Sequence, residues 1–327
     1  MMKQIKKTIL QTIKNARQVL ITSHQNPDGD SVGSQLALAE YLSTLNIPAV
    51  IVNDGIIPAK YRFLPGIDRI LNIESYVASG GFDVAVVVEC SNLARAGKVE
   101  RLIDPRCTVV NIDHHPDNAA FGSVNWNDVD ASAAGEMIYE LIREDGAAVT
   151  PTMAANLYAA ILTDTGRFYY SNTTARCLRI AAELIEAGAD PTSLTTNIYY
   201  RQSRAMIRLA ALAAADMQYL LDGRLCTMTL EQKHLRETHA NQGDAEGLVN
   251  LTMNAIGVEV GVLFTEMDDG RTKVSFRSQN TINVGEIAAH YGGGGHVNAS
   301  GCQIDLPLAE AQKKVVDYLK ERLNGSV

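Results

Sequence analysis

Cysteine is scarce in this chain: five among 327 residues, an odd number, with no two in a CxxC pattern. That argues against a disulfide framework and against a structural zinc site, and suits small buried thiols in a reducing compartment. Long apolar runs are missing too. None approaches the roughly 18 residues that span a bilayer, and the Ala-rich stretch 209–215 suits a packed helix better. The lysine-rich residues 1–20 contain neither a continuous apolar core nor a small-residue cleavage site, so they do not read as a secretory signal. A soluble cytoplasmic protein with no membrane partner is the expectation. Positive charge is also short: 29 Lys+Arg against 37 Asp+Glu leave a formal net charge of −8. Proteins that wrap long duplex DNA carry a basic footprint. The balance therefore argues against that class, while allowing a small anion held by metal ions or by a local basic patch.

What is present is ordinary globular material, 46% hydrophobic and 20% charged. At about 150 residues per domain the length suggests two domains. Residues 18–23, 48–52, 82–88 and 107–112 read as short apolar strands. The segment 31–45 reads as a helix, because Leu38, Leu42 and Leu45 share one face. Strands separated by helical segments indicate parallel crossovers. From 131 to 189 the pattern is mainly helical, with a turn near Asp164 and a Gly188 stop ending a helix over 173–186. A helical stretch over 204–220 follows. Beyond it, strands are expected at 225–230, 257–265 and 272–278, the last two joined by an Asp268-Asp269-Gly270 turn. Helical patterns at 246–255, 284–290 and 308–323 alternate with them. The predicted architecture is an α/β domain with a mainly parallel sheet at 1–195, a helical connector at 196–215 and a smaller α/β domain at 216–327.

The chemistry concentrates at strand ends. After the first strand comes His24-Gln25-Asn26-Pro27-Asp28-Gly29-Asp30-Ser31, one imidazole and two carboxylates in a compact turn. Open α/β sheets bind ligands at the carboxyl ends of their strands. The strand 82–88 ends in Glu89, the strand 107–112 in Asp113-His114-His115, and Asp164 follows an apolar helix. Singly, each has a plainer explanation: Asp30 or Ser31 as a helix cap, Glu89 as a surface acid, Asp164 as another cap. Together they supply the carboxylates and imidazoles that two divalent ions sharing a bridging carboxylate require. Mixed His/Asp ligation suits Mn²⁺, with Mg²⁺ or Zn²⁺ less exclusively indicated.

Near the C-terminus, Gly292-Gly293-Gly294-Gly295-His296 is no P-loop, since no Gly-Lys-Ser/Thr follows. Its successive amides suit a nest for an anion, or else a tight turn needing positive φ. Arg277, with Ser278 beside it at a strand end, is a candidate contact for a phosphate or a base edge, or simply a solvated charge.

The set His24-Gln25-Asn26-Pro27-Asp28-Gly29-Asp30 with Asp113-His114-His115 resembles the DHH phosphoesterase superfamily. Residues 292–301 resemble the GGGGH motif of its DHH-associated domain. Two motifs in the right order cover nearly the whole chain, and Thr163-Asp164-Thr165-Gly166-Arg167-Phe168 resembles the nanoRNase/pAp-phosphatase branch. The resemblance implies metal ligation by His24, Asp28, Asp30, Glu89, His114 and Asp164, with two divalent cations, Mn²⁺ first and Mg²⁺ second. At Glu89 the family carries Asp, often bridging the two ions, so the side chain here is one methylene longer. The resemblance places His115 against the scissile phosphate, gives Asp113 the orientation of a histidine, and counts Asp30 in the catalytic set. It raises Arg277 and His296 as substrate contacts, beside Ser278 and the backbone of Gly293, Gly294 and Gly295; Arg95 and Ser171 are weaker candidates, with ordinary surface roles as the alternative.

The implied activity is hydrolysis of short oligoribonucleotides and of 3′-phosphoadenosine 5′-phosphate (pAp) by metal-activated water. Alternatives within the same chemistry are linear or cyclic dinucleotides and polyphosphate; outside it stands a nucleotide sensor with weakened catalysis. Expected partners are short single-stranded RNA or nucleotides rather than long duplexes. A homodimer is compatible with the sequence, although no hydrophobic seam demands it.

Overall fold

A computed structural model describes residues 2–77, 80–279 and 282–324, in two units, Met1–Arg201 and Gln202–Val327. The first unit contains strands β1 (Val19–Thr22), β2 (Ala49–Asn53), β3 (Ile70–Asn72), β4 (Val84–Val88), β5 (Thr108–Asp113) and β6 (Val124–Asn127). Its helices are α1 (Met2–Lys14), α2 (Gly29–Thr44), α3 (Ala134–Glu144), α4 (Pro151–Asp164), α5 (Ala175–Glu186) and α6 (Pro191–Thr195). All strand pairs are parallel, in the order β3-β2-β1-β4-β5-β6. The branched apolar runs of β1 and β4 are buried at every position, as strands covered on both faces must be. In this strand order the crossovers diverge on either side of β1 and β4, which opens a crevice at their carboxyl ends.

Close helix packing brings α2, α3 and α4 together beside that crevice. A Cβ added at Gly33 of α2 would lie 3.0 Å from the Cβ of Ala160 and 3.1 Å from its backbone nitrogen. One at Gly135 of α3 would lie 2.6 Å from the same Ala160 Cβ. Glycine is needed at both positions because the backbones approach too closely for any side chain.

The second unit contains α7 (Arg204–Ala215), β7 (Gln218–Leu220), β8 (Leu225–Leu230), α8 (Gln232–Thr238), β9 (Val260–Glu266) and β10 (Thr272–Ser278). It continues with α9 (Val284–His290), β11 (Gly294–His296), β12 (Ala299–Ile304) and α10 (Leu308–Asn324). The sheet order is β11-β12-β10-β9-β8-β7, with β8 and β9 parallel and the other pairs antiparallel. One apolar core includes Val284, Ile287, Val315 and Leu319 from α9 and α10. The other includes Leu209, Ala213 and Leu235 from α7 and α8.

Three local expectations change. The helix expected over 204–220 ends at Ala215, and residues 218–220 pair with β8 through a turn in which Leu221, Asp222 and Gly223 all have positive φ. The helix expected over 246–255 is a tight 3₁₀ segment, Leu248–Asn254, entered through Gly247 at φ 80°. The glycine-rich run does not curl into a nest: Gly294–His296 is an extended strand at the sheet edge, paired with β12. Gly293 precedes it, packed so closely on the Cys302 backbone that an added Cβ would lie 2.7 Å from the Cys302 Cα. All five cysteines are free and buried. No helix among the described residues is long and apolar enough to cross a membrane.

Gly33→Ala is expected to destabilise the fold by about 1–3 kcal/mol, the cost of overpacking a close helix crossing. Urea unfolding measures it, and an unchanged midpoint would contradict the crossing.

Candidate metal centre

The chain leaves β1 into the loop holding His24 and Asp28. Asp28 caps α2, accepting from the Ser31 amide at 3.0 Å, so the cap is neither Asp30 nor Ser31. The His24 Nδ1 lies 2.8 Å from the Gln25 carbonyl oxygen, which can only accept, so Nδ1 carries the proton. Its Nε2 lies 2.9 Å from the Ser31 hydroxyl and 3.9 Å from Asp28 Oδ1. The loop after β4 stands alongside: the Arg95 carbonyl accepts from the Gln25 amide at 2.6 Å, and the Arg95 guanidinium donates to Ser91 at 3.2 Å.

Glu89 follows β4 directly, 1% exposed, with φ at 53°. Non-glycine residues in this region are uncommon, and at strand ends near a site such strain commonly accompanies function. His114 follows β5. Its Nδ1 is 3.1 Å from the Ala131 carbonyl, which fixes the proton there and turns Nε2 inward. That Nε2 lies 3.1 Å from Glu89 Oε2, 3.7 Å from Asp30 Oδ2 and 3.7 Å from Asp164 Oδ2. His115 has Nδ1 at 2.8 Å from Asp113 Oδ1 and Nε2 at 3.6 Å from Glu89 Oε1. Asp113 is itself held by Asn118, which donates to Oδ2 at 2.6 Å.

Three overlapping donor sets result, each with ligand atoms within 4.8 Å of one another: Glu89, His114 and His115; His24, Asp28 and Glu89; Asp30, His114 and Asp164. Glu89 and His114 each belong to two of them. Oxygen and imidazole donors in this mixture fit a divalent cation of the Mn²⁺ or Mg²⁺ kind.

The electrostatics favour a cation. Asp164 is the last residue of α4, where the helix dipole disfavours an anion. Asp30 is fully buried; it accepts from the Ala134 amide at 2.6 Å, the Gly135 amide at 2.9 Å and the Ser34 hydroxyl at 2.9 Å. It thereby satisfies the first amides of α3, whose own cap position is Ala133, and so has a structural duty beside any ligation. Even so, burial, and then the charges of Glu89 and Asp164, push the Asp30 carboxyl well above its ordinary range. Burial opposes charging of His114, but Glu89, Asp164 and Asp30 outweigh it and raise that imidazole well above its usual value. For His115 burial is again outweighed, by Glu89 and the bond to Asp113, and the ring is pushed up to about 9.

The remaining candidates are placed differently. Ser171 is exposed in the turn beyond Phe168. In the second unit, Arg277 on β10 donates from Nε to Asn250 at 2.8 Å and from Nη1 to the Phe276 carbonyl at 2.8 Å. Ser278 is buried; its hydroxyl donates to the Ile282 carbonyl at 2.6 Å and accepts from Asn298 at 3.0 Å, a clasp within its own unit. Gly294 and Gly295 lie on the edge strand β11 with Gly293 just before it; the side chain of His296 lies outside the described residues. Sequence reading weighed Ser31 only as a helix cap and missed Asn118 and Asn172. Asn172 closes on Asp164 through its side-chain amide, 3.2 Å to the carbonyl oxygen and 3.3 Å to Oδ2. Their only signal was a turn-forming residue type near a motif.

The model of the DHH family, N-terminal domain, matches residues 18–161, and that of the DHHA1 domain matches residues 222–325. The bifunctional oligoribonuclease and PAP phosphatase NrnA of Thermus thermophilus is 32% identical over 306 residues, 93% of this chain and 90% of the relative. The chain belongs to this DHH–DHHA1 family. The Bacillus subtilis protein of the same description is 30% identical over 92% of this DHH–DHHA1 chain and 93% of its own. Among solved structures, an exopolyphosphatase-related protein from Bacteroides fragilis shares the fold with a TM-score of 0.91 at 24% identity, covering 98% of this chain and 96% of that one.

Without cations the raised groups set a pH dependence. A proton held more tightly by the folded state stabilises it below the unfolded pKa, and that stability is lost as pH rises through the folded value. For His115 the window runs from 6.5 to about 9. The upward shifts of Asp30 and His114 act with the same sign. The melting temperature in EDTA is therefore expected to fall across this window, and Mn²⁺ to restore most at its alkaline end. A flat or rising profile in EDTA would contradict the assigned geometry.

Proposed function

We propose that this DHH–DHHA1 protein is a metal-dependent phosphoesterase that hydrolyses short oligoribonucleotides and removes the 3′-phosphate of pAp. The observation that carries the reading is the overlap of three donor sets on Glu89 and His114 at the strand ends. Two adjacent cation positions are what that overlap suits, with His24, Asp28 and Glu89 on one side, Asp30, His114 and Asp164 on the other, and the set of Glu89, His114 and His115 linking them. Divalent cations there, Mn²⁺ first and Mg²⁺ as the alternative, would supply Lewis-acid chemistry to a phosphoryl centre. The substrate classes come from the relatives, whose descriptions name oligoribonuclease and PAP phosphatase activity and which align over more than nine-tenths of the chain.

Each residue has a distinct task. The Ala131 carbonyl keeps the His114 proton on Nδ1, and the Gln25 carbonyl does the same for His24, so both Nε2 atoms are available as donors to a cation. Asp113 holds the Nδ1 side of His115. Asp113 favours a charged His115 ring, and an Nε2–H on that ring would donate to a phosphoryl oxygen or to the departing oxygen. Arg277 and the outward amides of the edge strand β11 are the second unit's candidates for binding phosphate, since an edge strand keeps one row of N–H groups unpaired. Five free buried thiols agree with a reducing cytoplasm.

A hydrolysis panel of pAp, RNA dimers to pentamers, cyclic dinucleotides and tripolyphosphate, each with Mn²⁺ and Mg²⁺, tests the reading. Turnover of pAp and the short RNAs is expected. Turnover of tripolyphosphate alone would transfer the activity to polyphosphate, and tight nucleotide binding without hydrolysis would make the protein a sensor. Glu89→Asp is expected to leave turnover equal or higher, because Asp tolerates a left-handed backbone better than Glu. Its complete inactivity would show a centre rebuilt around the longer side chain.

A further inference from the structure

The loop 165–172 joins α4 to the stretch before α5, and it is closed on Asp164 at both ends. It begins at the next residue, and it returns through Asn172, whose side-chain amide reaches the Asp164 carbonyl and carboxylate. Within it, Gly166, Arg167 and Phe168 have φ of 56°, 67° and 61° in succession. Two of the three bear side chains, so the backbone is strained, and such strain persists only where the surroundings over-determine it. The anchors are evident. Thr165 is buried, and its carbonyl accepts from the amides of both Tyr169 and Tyr170 at 3.0 Å. Its hydroxyl accepts from the Phe168 amide at 3.1 Å. The Phe168 ring packs edge-on against Tyr158 with centroids 6.0 Å apart, and the Arg167 guanidinium covers Tyr199 at 4.9 Å.

The outcome of all this fixing is that Tyr169 stands 77% exposed, with Tyr170 edge-on beside it at 6.0 Å. The anchors fix the loop beside Asp164 without drawing the Tyr169 ring into the core, whereas Phe168 is half-buried. We propose that Tyr169 is a base-stacking residue of the metal centre: it presents a ring face to the nucleobase of a nucleotide whose phosphate lies at the Asp164 cluster. The proposal rests on the phosphoesterase reading and deepens it, since it makes the substrate a nucleotide rather than a bare phosphate chain. Stacking on an aromatic ring is indifferent to base identity, because every base has a π-face. The site would therefore favour nucleosides over base-free phosphates without sequence preference.

The test compares wild type, Tyr169→Ala and Tyr169→Trp on pAp and on ribose 3,5-bisphosphate, which lacks the base. The preference for pAp in kcat/KM is expected to fall about tenfold in the alanine variant, the low end of what one stacked base is worth. The loss should appear in KM rather than kcat, and the tryptophan variant should keep or widen the preference. An unchanged preference in Tyr169→Ala would overturn the proposal. AMP binding by calorimetry separates the two readings. If the wild type hydrolyses neither compound, the phosphoesterase reading fails. Stacking then stands or falls on whether the alanine variant binds AMP about tenfold more weakly or equally well.

Discussion

Mutual repulsion among Asp30, Glu89 and Asp164, gathered around the one imidazole of His114, is the constraint on which the first unit depends. Glu89 and Asp30 are almost wholly shielded from water, and the Asp164 carboxylate nearly so. Like charges in a poorly screened interior raise one another's proton affinity. The upward shift of Asp30 and the raised imidazoles of His114 and His115 are two faces of that frustration. Protons relieve it partly, whereas cations of higher charge relieve it while leaving every donor in place. The fold thus stores an unfavourable arrangement that bound positive charge would relieve.

The scaffold explains how such an arrangement survives. β4 and β5 are tied in parallel through five residue pairs, which sets Glu89 against the end of β5. Gly33 and Gly135 allow α2 and α3 to press onto α4, and Asp30 is locked by two amides of α3 before any cation arrives. Asp164 arrives at the end of α4. The site is therefore built from rigid elements, and its loops at His24 and Asp164 are each pinned by side chains. Preorganisation of this kind is what a charged site needs.

Much of this was legible in the sequence. The strands at 225–230 and 272–278 and the helix at 284–290 are found where periodicity placed them. The acidic and histidine motifs that adjoin strand ends do converge. Less was legible where identity depends on partners distant in sequence. Asp28 rather than Asp30 caps α2 because Asp30 is drawn off by α3, some hundred residues later. β3 and β7 are too short to show a period, and β11 is glycine-rich, so its strand state comes from pairing with β12 rather than from propensity. Asn118 and Asn172 look like ordinary turn residues until the loops they tie are seen.

The cluster at Glu89 and His114 is proposed to be a divalent cation site. Anomalous diffraction at the manganese edge, from crystals grown with Mn²⁺, tests it most directly. Anomalous peaks are expected at Glu89 with His24 and Asp28, and at His114 with Asp30 and Asp164. Manganese bound elsewhere, with this cluster empty at saturating Mn²⁺, would contradict it.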